Sequence, residues 1–125
     1  MEINDVMNVF EKEFVHLRDR FQIYDLTLDR AKYASAEGVV SPGVYVFWKG
    51  GKVIKVGRNL TNSRKRALQH IKDNTGGYMK ALEEDSETHL LLFNVKNSDD
   101  RHWVAALEVF FEMRLEPQIR AHRLG

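Results

Sequence analysis

The stretch GVYVFWKGGKVIKVG, residues 43–57, constrains the fold more than any other part of this chain. Two apolar, strand-like runs flank Gly50-Gly51, which is a β-hairpin signal. Lysine is among the residues least often buried, yet Lys55 sits inside the second run. A two-residue turn at Gly50-Gly51 would set Val46 opposite Lys55 and place the charge among the most apolar residues, which is costly without a partner. A three-residue loop, Lys49-Gly50-Gly51, would instead pair Trp48 with Lys52, Val46 with Ile54 and Tyr45 with Lys55. One face then carries Val44, Val46, Trp48, Ile54 and Val56, and the other Tyr45, Phe47, Val53 and Lys55. A one-residue change of register exchanges whole faces, and the three-residue loop sorts them better. Tyr45 and Lys55 are therefore expected to be cross-strand neighbours. An ammonium beside a phenol favours its phenolate, which makes Tyr45 a candidate general base. The bland alternative is a packing pair with Lys55 extended to water.

The hairpin implies an antiparallel sheet, and the rest of the chain supplies helices to cover it. Ile3, Val6, Met7, Phe10, Phe14, Leu17 and Phe21 have helical spacing, which predicts a helix over 3–21 with one apolar face. That face suits either a cap on the core or a dimer interface. Residues 22–42 read mostly as loop. Residues 62–73 form a basic helix capped by Asn62 or Ser63. Gly76-Gly77 breaks the chain, 78–84 is a short helix and 88–95 a buried strand. A long helix runs from about 100 to 115 and ends before Pro117. The expected fold is α+β: a small three-stranded antiparallel sheet flanked by helices. The 125 residues suit one domain, 1–125, with a helical extension at 1–40 and the core at 41–120.

Charge narrows the partner. The net charge of +1 hides nine basic residues against one acid in 49–80, while residues 1–40 hold eight acids and five bases. Such a basic middle is where a polyanion would be met. A solvated basic surface is the alternative reading. Without cysteine there is neither a disulfide framework nor a Cys-zinc site. No secretory signal or membrane-length apolar run is read, so a soluble, cytoplasmic protein is expected.

Other chemistry-bearing residues follow from spacing. Arg66 and His70 are four apart and share a helix face, and Arg suits phosphate. Glu108 lies among Trp103, Val104, Leu107, Phe110 and Phe111, with Glu112 one turn on. A carboxylate so placed needs a partner or a metal ion. Alternatively Arg101, Ala105, Glu108 and Glu112 form an outward polar stripe. His16, His89, His102 and His122 show no ligand spacing, and no hydrolase triad or phosphate-loop pattern is present.

In order, these pieces resemble the GIY-YIG nuclease superfamily. The first motif reads Gly43-Val44-Tyr45 and the second Lys55-Val56-Gly57. Arg66-x-x-x-His70 follows on a helix, and Glu108, Leu115 and Pro117 keep the family-like spacing. The resemblance covers about residues 41–120. It implies a metal-dependent DNA endonuclease with a one-metal mechanism, the alternative being a nucleic-acid-binding module that has lost cleavage. Glu108 would hold one Mg²⁺ (or Mn²⁺), Tyr45 would be the general base tuned by Lys55 and His70, and Arg66 would stabilise charge on the phosphate. Arg58, Arg64, Lys65 and Arg120 would contact nucleic acid. Cutting both strands of DNA with one site per chain would suit a homodimer. Lys55 stands where the family name has tyrosine, and Arg120 stands in the region where the family often has asparagine. The interval from Gly57 to Arg66 is one residue longer than usual, which makes Arg64 a rival of Arg66.

Overall fold

A computed structural model describes residues 1–73 and 79–121. The first helix is α1, Ile3–Glu13. The Glu2 N–H donates to Asp5 Oδ2 at 2.7 Å, half of a reciprocal capping arrangement at its start. The helix is shorter than the 3–21 expected. Residues Val15–Arg20 form a 3₁₀ turn, and Phe21–Thr27 is a strand, β1. The apolar spacing ran through the break because Phe14 and Phe21 enter the same core as Phe10 from non-helical backbone.

The remaining elements are β2, Gly43–Lys49; β3, Lys52–Asn59; α2, Ser63–Asp73; β4, His89–Val95; and α3, Arg101–Leu115. The short helix expected at 78–84 is one 3₁₀ turn, Lys80–Leu82, among the described residues, while Gly76-Gly77 lies outside them. The fold is α+β, but the antiparallel sheet has four strands, in the order β1-β4-β2-β3, rather than three. The added strand is β1, which pairs with β4 along its whole length, Phe21 opposite Val95 through Thr27 opposite His89.

The two sheet faces bury separate cores. On one, Val44, Val46, Val53, Val56, Leu91 and Phe93 pack against Val6 and Phe10 of α1 and Leu107 and Phe111 of α3. Phe93 meets Phe111 edge to face at a centroid distance of 4.9 Å. On the other, Tyr45, Phe47, Ile54, Leu90 and Leu92 pack against Ala67 and Ile71 of α2.

The hairpin register corrects the expectation. Gly50 and Gly51 have φ of 59° and 83°, the signature of a two-residue type I′ turn. Lys49 therefore pairs with Lys52, and Trp48 with Val53. The faces are sorted by a β-bulge: Ile54 is passed over, so Phe47 opposes Lys55, Val46 opposes Val56 and Tyr45 opposes Gly57. Lys55 does reach the Tyr45 side of the sheet, as a diagonal neighbour, while Val53 and Ile54 exchange the faces expected of them.

Beyond α3, Glu116 takes a left-handed conformation, φ 47°. It turns Pro117 and the following chain back along β3. The Gln118 N–H donates to the Val53 carbonyl at 3.1 Å and the Ile119 N–H to the Ile54 carbonyl at 2.8 Å. This segment covers the β3 edge and ends beside the hairpin's polar residues.

Candidate active site

At the β3 edge, α2 from one sheet face and α3 from the other converge. A cleft of about 320 Å³ opens there, lined by Tyr45, Lys55, Gly57, Arg66, His70 and Glu108, with Arg120 at its rim. All five residues expected to carry chemistry thus face one space, and of the rivals Arg64 and Arg66 it is Arg66 that lines it.

Tyr45 is 3% exposed. Its ring folds across β3 at Gly57, where a Cβ would overlap Cζ and Oη of the phenol. The glycine of the second motif is thus a steric requirement for this tyrosine rotamer. Gly43 plays a similar part at the start of β2. A Cβ there would overlap Asn94 Oδ1 and lie 2.6 Å from the Phe93 carbonyl oxygen.

His70 stands one turn after Arg66 on α2, its ring 6.3 Å from the Tyr45 ring. Burial pushes its pKa below the ordinary value, and the charges of Lys55 and Arg66 push it the same way. The imidazole is therefore neutral at pH 7, and its surroundings oppose protonation. Lys55 is 8% exposed and bridges to Ile119 of the returning C-terminal segment.

Glu108 is 6% exposed and Glu112 is fully buried, which excludes the outward polar stripe. Arg58 Nη1 donates to Glu108 Oε1 in an ion pair. Arg120 Nε donates to Glu112 Oε2 at 2.8 Å, the Ala121 N–H to the same oxygen at 3.1 Å, and Arg120 Nη2 to the Glu112 carbonyl at 3.1 Å. Both arginines, read from sequence as nucleic-acid contacts, are turned onto carboxylates of α3. Arg64 Nη1 donates to the Ala34 carbonyl, and Lys65 is exposed on the first turn of α2.

Asn94, Ser63 and Glu112 support the site and were not singled out for it by sequence. Asn94 is fully buried in β4. Its Oδ1 accepts from Ser63 Oγ at 2.5 Å, and its Nδ2 donates to the Gly38 carbonyl at 2.9 Å. One amide thereby ties the start of α2 to the sheet and to the 36–41 loop. A lone Asn inside LLLFNV was the available signal, since a buried amide must find partners.

Among the described residues no group of three or more His, Cys, Asp or Glu side chains could hold a metal ion. Glu108 offers a single carboxylate at the cleft wall. That donor set fits a hard cation such as Mg²⁺, which keeps several waters and takes one or two carboxylates.

Among curated proteins the chain is similar to UvrABC system protein C of Aquifex aeolicus (strain VF5), at 35% identity over 75 residues. Those residues are 60% of this chain but only 11% of the relative's length. No protein-family model matches, and no solved structure matches.

Proposed function

We propose that this protein is a metal-dependent DNA endonuclease of the GIY-YIG type. The observation that carries the reading is the convergence of Tyr45, Lys55, Arg66, His70 and Glu108 on one cleft from two strands and two helices. The similarity to UvrABC system protein C and the order of the motifs support it.

The surroundings suit a polyanion. Arg66 also lines a shallow groove with Asn59, Thr61, Asn62, Lys65 and Gln69. That groove shares Asn62, Lys65 and Gln69 with a further one of about 280 Å³ holding Lys32, Arg64 and Leu68. No described carboxylate lines either groove, though Lys32 is paired with Glu84 at 3.1 Å, so a phosphate chain leaving the cleft over α2 would meet Lys65 and Arg66 first.

In the reaction a water oxygen bonds to the phosphorus while the bond to the leaving oxygen breaks. Tyr45 takes the water's proton, with the Lys55 ammonium in the same cleft favouring the phenolate that receives it. Arg66 holds the non-bridging oxygens as their charge builds. Glu108 would bind Mg²⁺ or Mn²⁺, which when bound neutralises charge on the phosphate and the leaving oxygen. Solvent returns a proton to the leaving oxygen.

A nucleic-acid-binding module without cleavage is the second reading. It is favoured by the Arg58 ion pair on Glu108 and by Arg120 bonded to Glu112. Supercoiled plasmid incubated with and without Mg²⁺, beside Glu108→Ala, separates the two. Nicking by the wild type that chelator and substitution both abolish supports the nuclease. A gel shift with no cleavage under any metal supports the module, and equal cleavage by Glu108→Ala rejects the metal assignment.

A further inference from the structure

We infer that Arg58 serves two anions in turn. It holds the Glu108 carboxylate while no divalent cation is there, and it is released toward nucleic-acid phosphate when a cation binds. This rests on the reading of Glu108 as the cation ligand.

The geometry sets up the exchange. Arg58 follows Gly57 directly on β3, and its guanidinium donates to Glu108 Oε1 across to α3. The Glu108 side chain is only 8% exposed, whereas that of Arg58 is 33% exposed. A carboxylate this buried needs a counter-charge, and Arg58 supplies it. A divalent cation on the same carboxylate would face the guanidinium at close range, and the two like charges repel. Glu108 is fixed within the α3 packing, but the partly exposed arginine has solvent to move into. Its planar fork matches the phosphate that a nuclease cleft must hold.

The neighbouring pair is held by more bonds. One turn along α3, Glu112 is fully buried. Arg120 and the backbone of Ala121 both bond its Oε2. There the arginine also donates to the Glu112 carbonyl at 3.1 Å. The Arg58 side chain has one described bond, to the group that a cation would claim.

Two consequences follow. Arg58 competes with the cation for Glu108, so removing its charge tightens cation binding. Cation and phosphate also help each other, because the freed guanidinium pairs with the phosphate and linkage is reciprocal.

The test is Mn²⁺ binding by isothermal titration on the whole chain, with cleavage playing no part in the readout. Wild type, Arg58→Gln, Arg58→Lys and Glu108→Gln are compared, with folding checked by circular dichroism. Arg58→Gln is expected to bind Mn²⁺ about five-fold more tightly than wild type, with Arg58→Lys between the two. A non-cleavable phosphorothioate duplex should tighten Mn²⁺ binding to the wild type by a similar factor, and less so in Arg58→Gln. Unchanged or weaker Mn²⁺ binding by Arg58→Gln overturns the exchange while leaving the nuclease reading standing. If Arg58→Gln does not fold, Arg58→Lys binding no tighter than wild type has the same force. Wild-type Mn²⁺ affinity in Glu108→Gln overturns the metal assignment and the exchange with it.

Discussion

Tyr45 reaches the cleft because Gly57 has no side chain. The ring lies where a Cβ at that position would be, and at 3% exposure it has little room to retreat. Gly57→Ala should therefore cost about 1–3 kcal/mol of stability in urea titration and lower cleavage by misplacing the phenol. His70 makes a prediction about acid. Its folded-state pKa lies below the ordinary value, with burial as the main cause. As pH falls below about 6.5 the unfolded chain takes up a proton that the folded chain resists. Stability is thus expected to decline from that pH downward and to level off once the folded imidazole is protonated. Urea midpoints measured from pH 7.5 to 5 should show this slope, and His70→Gln should flatten it. Tyr45, Lys55, Arg66, His70 and Glu108 were legible in the sequence because each sits in a short motif or at a fixed helical spacing. The roles of Arg58 and Arg120 were not. A run of basic residues does not distinguish a solvent-facing arginine from one turned onto a buried carboxylate, and Arg58 finds its partner 50 positions away.

The hairpin was legible as an element but not in its register. Face sorting correctly brought Lys55 to the Tyr45 side, but assigned the sorting to a longer loop. The two positive φ angles at Gly50 and Gly51 and the bulge at Ile54 achieve it together, and no local residue pattern announces a bulge. A type I′ turn favours Asn-Gly over Gly-Gly. Gly50→Asn is thus expected to raise stability by about 0.4–1 kcal/mol, read as a later chemical-denaturation midpoint with an unchanged slope. The segment after α3 is held by the buried Glu112. Removing one partner of a buried pair leaves an uncompensated charge. Arg120 is itself about half exposed, with a side-chain exposure of 52%, and Glu112 would keep its bond from Ala121. Arg120→Ala should accordingly cost about 3 kcal/mol, with Glu112→Gln in the same background recovering part of it.

At the scale of the molecule, the sequence supported an α+β fold with helices around an antiparallel sheet, and missed the fourth strand. β1 is an edge strand with only Phe21 fully buried along its length, so its alternation is faint. The helical spacing of residues 3–21 also claimed its first residue. The topology explains why the cleft lies where it does. Two cores, one on each face, hold α2 and α3 on opposite sides of the sheet. The β3 edge is where their side chains can meet, and the returning C-terminal segment closes that edge. From the cleft, grooves lined by Arg66, Lys65 and Arg64 run over α2. We propose that this convergence is a phosphodiester-cleaving site with Tyr45 as its base. The most direct test of this proposal is the single-turnover cleavage rate of duplex DNA by Tyr45→Phe beside the wild type, at saturating Mg²⁺ and protein. The Tyr45→Phe rate is expected to be at least about 10²-fold lower, with DNA affinity within a few-fold of wild type. A rate equal to wild type would contradict it.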